Sequence, residues 1–422
     1  MSGSGSPAAS GQALARPKGR AAPPLGMITK YPSIAPQSHA EKAKEEQQAR
    51  RDAALARRYD LRDCARQILP RERVSLCGRL VVPTKSAVQV WYDPEHEAAH
   101  FGQLVTCGSI WHCPVCAAKI AERRRVEVKE AMTTWRERGG LIALATFTLS
   151  HHAGESLGPV LARLQKARDR LLSGRAAVSF KAEHGIVGSI RALEITHGVN
   201  GWHPHLHVLL FISPEKNTCV GDTDYLVRDL KASWSAAVAK EDGQATWAHG
   251  CDVQTNSGEI SDVTEKLANY FTKQGGEWDE SHELTKSNAK QGIRAGRSPM
   301  QLLIEASKGD SAAGRLWLQY ACTMKGERFL YWSRGLRDLL GLNDEQSDEE
   351  LAESTVASAV LVVEIGKAAW QYVLGNAARA DLLIAARKGG YEGVCAMLAD
   401  LGVPDEHIPL WPDYKPPTLE DH

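Results

Sequence analysis

The run His203-Pro204-His205-Leu206-His207 leads directly into Val208-Leu209-Leu210-Phe211-Ile212. The second half is an apolar stretch of strand length, and on a strand alternate side chains share a face. His203, His205 and His207 then point one way and Leu206 and Val208 the other, which makes an imidazole cluster on a rigid element. The residues just upstream, Arg191 to His197, read as a second strand, and Gly198-Val199-Asn200-Gly201 supplies the turn that joins the two as a hairpin. With the turn centred between Val199 and Asn200, Glu194 lies directly opposite His205 on the same face. His205, His207 and Glu194 form a mixed nitrogen and oxygen donor set with room for water or substrate, which suits Mn²⁺ or Mg²⁺ acting on a phosphate. His203 can be a spectator, because Pro204 makes its backbone unusual and two histidines suffice. A polar strand face with no ligand is the plainer alternative.

Further along, Asp262 to Gly276 has helical spacing and a glycine stop. Tyr270 and Lys273 are three apart, so phenol and ammonium share a face of that helix. A phenol with a pKa near 10 needs a cation or a metal-bound phosphate to ionise at neutral pH, and Lys273 is placed to help. Such a pair also occurs on helices with no catalytic role.

Taken together, these residues resemble the HUH endonuclease pattern, and more closely the rolling-circle replication initiators of small bacterial plasmids. Leu144 to Ser150 is similar to the first motif of that family, a buried strand of the catalytic sheet. His205-Leu206-His207 matches its metal-binding pair, and Tyr270 with Lys273 its nucleophile motif. The resemblance covers about 141–280. It implies an α+β fold: an antiparallel β-sheet HUH nuclease core with flanking helices, an N-terminal zinc-binding module and a C-terminal helical region. It also implies plasmid origin DNA, single-stranded or in a hairpin, as substrate, attack by Tyr270 to give a 5′-phosphotyrosine link and a free 3′-hydroxyl, and later strand transfer. One departure is that members often carry a glutamate one turn before the tyrosine to end a replication round, where this chain has Lys266. Glu265 is about 140° round an ideal helix from Tyr270, and serves only if the helix is irregular there.

Before this region, Cys107 and the Cys113-Pro114-Val115-Cys116 knuckle have spacing that turns thiolates toward one tetrahedral zinc. Cys77, within a plausible strand and part of a Cys-Gly pair like Cys107-Gly108, is the best fourth ligand. Cys64, His100 and His112 are alternatives, and unconnected thiols or a redox pair would explain the motif without zinc. Ala117 to Arg138 reads as a helix whose Arg123, Arg124 and Arg125 could meet DNA phosphates, diluted by Glu122, Glu127 and Glu130.

A net charge of zero conceals an asymmetry. Residues 1–140 carry 23 basic against 14 acidic side chains, and residues 344–422 carry 5 against 15. The front is therefore the DNA-facing part. Five regions follow: a disordered basic segment over 1–55, a zinc module and basic helix over 61–140, a catalytic domain over 141–280, a helical segment over 281–343, and an acidic linker with helices over 344–422. In 281–343, Arg328, Arg334 and Arg337 interleave with Trp317, Tyr320, Phe329, Tyr331 and Trp332. Such residues either stack bases or build ordinary helix cores. Leu157–Leu172 and Tyr225–Ala239 read as amphipathic helices between strands. Residues 1–30 have no continuous apolar core and no run matches a membrane span, so a soluble cytoplasmic protein without membrane contacts is expected. Without a Walker motif, unwinding falls to a host helicase, and the 3′-hydroxyl primes host DNA polymerase. Competing readings are a mobilisation relaxase or single-strand transposase with the same chemistry, a histidine-triad nucleotidyl hydrolase, an iron oxygenase, and a zinc-containing DNA-binding regulator.

Overall fold

The computed structural model describes residues 39–216, 222–241, 243–255, 296–353 and 357–409. The chain divides into two compact units, 1–47 and 48–422. Its elements begin with α1 (His39–Ile68), β1 (Ala87–Asp93), β2 (Ala98–Gly102), α2 (Pro114–Glu137), β3 (Leu141–Phe147), α3 (Leu157–Leu172) and α4 (Gly174–Glu183). Next come β4 (Ile186–Gly198), β5 (Gly201–Ile212), α5 (Asp222–Ala239) and β6 (Cys251–Thr255). The C-terminal part contains α6 (Pro299–Ser307), α7 (Ser311–Met324), β7 (Leu330–Trp332), α8 (Leu336–Leu340), α9 (Asp348–Glu353), β8 (Val360–Gly366), α10 (Lys367–Gly375) and α11 (Arg379–Asp400).

The fold is α+β with two antiparallel sheets. Five strands in the order β6-β3-β5-β4-β7 form the larger one. At its centre β4 and β5 pair as a hairpin from Ile186↔Ile212 to Gly198↔Gly201, leaving Val199-Asn200 as the turn. Gly201 has φ +86°, and a Cβ there would come within 3.0 Å of the His152 carbonyl and 3.1 Å of the Ala153 Cα. A side chain at 201 would thus displace the 151–153 loop from the hairpin. Helix α3 has the bounds the periodicity predicts and buries Leu157, Val160, Leu161, Leu164 and Ala167, one stripe at three- and four-residue spacing. On the face carrying Leu206 and Phe147, Trp234 of α5 packs against the Phe147 ring with centroids 4.9 Å apart.

The second sheet, β2-β1-β8, corrects the expected organisation. The C-terminal region is not only helical: β8 pairs along β1, from Ala87↔Gly366 to Tyr92↔Val360. Tyr59, Val88, Val90 and Leu104 from the front of the chain share one core with Val363, Trp370, Leu383 and Val394 from the tail. Trp370 Nε1–H donates to the Arg79 carbonyl at 2.8 Å, and Arg387 pairs with Asp52 at 2.7 Å. The disorder expected over 1–55 also needs correction, since α1 is helical from His39; residues 1–38 lie outside the described ones.

The acidic linker lies against the basic helix. Arg124 is 4% exposed, and its guanidinium meets Glu127 at 3.1 Å, Glu345 at 3.4 Å, Asp348 at 3.1 Å and the Gln346 carbonyl at 2.7 Å. Arg125 is bonded to Glu122 at 2.7 Å, and Arg123 is partly exposed. Arg124 is therefore withdrawn from the expected DNA-facing set, because a buried guanidinium already surrounded by carboxylates cannot reach a phosphate. Arg124→Met is expected to lower stability by about 1 kcal/mol, since it leaves the partly exposed carboxylates of Glu127, Glu345 and Asp348 without their cation, and to leave DNA affinity unchanged. Urea unfolding and a binding titration on the same preparation check both parts.

Candidate active site

The hairpin register places Glu194 opposite His205 and Ala192 opposite His207. On the other side of β5, Thr146 of β3 also pairs with His207. His207 is 2% exposed and lies between two polar partners. Its Nε2 is 2.8 Å from Glu194 Oε2, and its Nδ1 is 3.0 Å from Thr146 Oγ1. A carboxylate only accepts, so the neutral ring carries its proton on Nε2 and the Thr146 hydroxyl donates to Nδ1. The His205 ring stacks parallel to His207, with centroids 6.0 Å apart, and its Nδ1 is buried without a hydrogen-bond partner among the described residues. Burial, with His203 next, lowers the His205 pKa to about 3, so the ring is neutral and its lone pair available at physiological pH.

His203 belongs to the same row. Its ring is 4.2 Å from that of His205, edge to face, and its Nδ1 meets Nε2 of His151. His151 Nδ1–H donates to the Asn200 carbonyl at 2.8 Å. Burial and then the His151 neighbour bring the His203 pKa down to about 4. Sequence reasoning missed His151 and Thr146. The register of β3 on β5 would have revealed Thr146, whereas His151 is brought in by the loop that Gly201 admits.

Two imidazoles and a carboxylate are the donor set for a hard or borderline divalent ion, and the partnerless buried Nδ1 of His205 is consistent with one. The three ligand atoms are not all within 4.8 Å of one another. Among the described residues, the groups that meet that spacing are four cysteines, Asp93-Glu95-His96 and Glu183-His184-Asp229. Tyr270, Lys273 and Glu265 lie outside the described residues.

The four cysteines are Cys77, Cys107, Cys113 and Cys116, all buried and none in a disulfide. Cys77 Sγ is 3.7 Å from Cys113 Sγ and 3.5 Å from Cys116 Sγ, and Cys107 Sγ is 3.7 Å from Cys116 Sγ. Tetrahedral zinc with bonds of about 2.3 Å sets sulfurs about 3.8 Å apart, so the arrangement fits such an ion. Pro114 opens α2 and Cys113 caps it, its sulfur accepting from the Cys116 N–H, so both knuckle thiols sit at a helix N-terminus that favours thiolates. Cys77 lies in a turn after a short 3₁₀ helix, not in the strand expected for it. Gly108, with φ +57°, brings the Cys107 loop against α9, where a Cβ would meet the Glu349 Cα at 2.9 Å. His112, an alternative ligand, instead donates from Nε2 to the Ala321 carbonyl at 2.8 Å, and Trp111 Nε1–H donates to the Glu327 carbonyl at 2.7 Å. These two bonds tie the cysteine module to α7 and the segment leading into β7.

The replication-protein family profile matches residues 102–287, which takes in the cysteine knuckle and the histidine hairpin. A Rep protein of Streptomyces lividans is 29% identical over 304 residues, covering 58% of this chain and 66% of its own length. A Streptomyces cyanogenus protein named neomycin resistance protein is 33% identical over 144 residues, 28% of this chain and 33% of its own. A Rep protein of Streptococcus pneumoniae is 28% identical over 132 residues, 30% of this chain and 39% of its own. The chain thus spans less than two thirds of each relative's length. No solved structure matches it. By the profile over residues 102–287 and by these relatives, the chain is similar to plasmid replication-initiator Rep proteins.

Proposed function

We propose that the chain starts rolling-circle replication of a plasmid by nicking one strand of its origin as an HUH tyrosine endonuclease. The observation that carries this reading is the row Thr146-His207-Glu194 with His205 alongside, inside the region matched by the replication-protein profile.

The phenol oxygen of Tyr270 attacks the phosphorus of one phosphodiester. The O–P bond to tyrosine forms as the bond to the 3′-oxygen breaks, leaving a 5′-phosphotyrosine and a 3′-hydroxyl for host polymerase. Lys273, three residues on in sequence, favours the phenolate, and Glu265 is the nearest carboxylate in sequence for the terminating step. A bound Mn²⁺ or Mg²⁺, held by His205, His207 and Glu194, supplies Lewis-acid stabilisation of the phosphate charge. Were Nε2 of His207 to hold a cation, the ring proton would sit on Nδ1 and Nδ1–H would donate to the Thr146 hydroxyl, so Thr146 would orient the ring in either state. The exchange conserves the phosphodiester bond energy, so no nucleotide is hydrolysed, and a host helicase opens the duplex. The four cysteines hold a structural Zn²⁺ that anchors the front module. Among the described residues no helix is long and apolar enough to cross a membrane.

The test is incubation with supercoiled plasmid carrying the origin and Mn²⁺, followed by denaturing gels. Wild type is expected to yield open circles with protein linked to DNA, and Tyr270→Phe to yield neither. Nicking by Tyr270→Phe at the wild-type rate would refute the nucleophile. Nucleotide hydrolysis that depends on His205 but not Tyr270, without any adduct, would replace the reading with a histidine-triad hydrolase.

A further inference from the structure

Strand alternation puts Arg191 and Leu193 on the face of β4 opposite Glu194. On that face a cleft of about 400 Å³ opens between α3 and the β7 edge of the sheet. Arg168, Arg191, Arg328 and Tyr331 line it, with Leu164 and Leu193 among the apolar residues. Arg191 pairs in register with Tyr331, and its guanidinium lies over that ring, 4.0 Å from the centroid. Among the described residues no carboxylate lies within ion-pair distance of Arg191, which is partly buried. Arg328 is exposed. The acids present are already engaged: Glu327 accepts from the Gln165 amide at 2.8 Å, and Asp169 is bonded to Arg168 at 2.7 Å. Tyr331 is 40% exposed, whereas Trp317, Tyr320, Phe329 and Trp332 are buried. Of the aromatic residues clustered in this segment of sequence, Tyr331 is thus the one with a ring open to a ligand.

A preorganised guanidinium lacking an anionic partner, two further arginines and an open aromatic face in one cleft make the combination that binds single strands, with cations for the phosphates and a ring for a base. We propose that this cleft holds single-stranded DNA, with a phosphate against Arg191 and Arg328 and a base stacked on Tyr331. Arg191 and Glu194 are three residues apart along β4, about 10 Å, so a strand rounding the short β7 edge can occupy the cleft and the histidine face together. The proposal rests on the reading of the chain as an enzyme of origin DNA and adds a second contact site for that substrate.

Full-length protein is titrated into a fluorescein-labelled oligothymidylate of about 20 nucleotides, and into its duplex, at several salt concentrations. Tyr331→Ala and Arg191→Gln are each expected to weaken single-strand binding about tenfold, with duplex binding changed less. The Arg191→Gln salt slope should also fall by roughly 0.7. Arg175→Gln on exposed α4 is the control and should match wild type. Thermal melts confirm that each variant folds, and photo-crosslinking of wild type to an iododeoxyuridine-substituted oligonucleotide should label Tyr331. Wild-type affinity in both variants, or a wild type that does not bind the single strand, overturns the cleft. The covalent-adduct assay separates the two ideas. An adduct-forming protein whose affinity ignores both substitutions refutes the cleft alone, while cleft-dependent binding without any adduct refutes the nickase and leaves the cleft.

Discussion

His207→Ala is expected to slow origin nicking at least a thousandfold, the scale of losing several kcal/mol of charge stabilisation at a phosphate. The ring is fully enclosed, and both its nitrogens are committed, to Thr146 and to Glu194. His205→Ala should match it in activity, because the partnerless His205 Nδ1 has no other evident use. Thr146→Val should lose about ten- to a hundredfold, as expected for a residue that orients a ligand and is not one. That graded pattern separates a positioning role from general damage, which would lower all three activities in step with thermal stability. The measurement is the initial rate of supercoiled-to-open-circle conversion in Mn²⁺, with melting curves alongside. Activity within tenfold of wild type in His207→Ala would remove the histidine row from the mechanism.

Removing metal from the cysteine cluster is expected to have the largest effect on stability. Structural zinc in small peptides contributes about 10–16 kcal/mol, and even a fraction of that would lower the melting temperature by roughly 10 °C or more. The loss should spread beyond the module. The Cys107–Cys116 loop anchors Trp111 and His112 to the Glu327 and Ala321 carbonyls, and Phe329, just before the edge strand of the five-stranded sheet, packs on Trp111 with ring centroids 5.7 Å apart. Metal analysis should find one zinc per chain in wild type and none in Cys113→Ser, and a zinc chelator should reproduce the variant's melting curve. Thiolates must be deprotonated to bind, so metal retention should fall as pH is lowered. Unchanged zinc content in Cys113→Ser would end the assignment.

Local rules made much of the centre legible. A two-residue turn flanked by glycines sets the hairpin register, and register alone decides that Glu194 lies opposite His205 on the face that also carries His207, because side chains repeat every two residues. The apolar stripe of α3 gave its bounds for the same short-range reason. The spacing of Cys107, Cys113 and Cys116 and the repeated Cys-Gly pair pick out four cysteines, and the structure brings Cys77 beside the other three. The tail was read less well. Val360 to Ile365 is a β-branched run that could have been recognised as a strand, but nothing near it says that its partner is β1, more than 260 residues earlier.

The amino-acid sequence by itself determined the antiparallel hairpin, the histidine and carboxylate face, the cysteine set and the opposed charge of the two ends. Only the tertiary structure decided how those charges are used: Arg124, basic in sequence, is buried against Glu345 and Asp348, whereas Arg191 lies over an aromatic ring with no carboxylate partner among the described residues. The physical reason is range. Periodicity and turn chemistry act over a few residues, but desolvation and ion pairing depend on which distant surfaces meet, and the composition of a segment does not specify that.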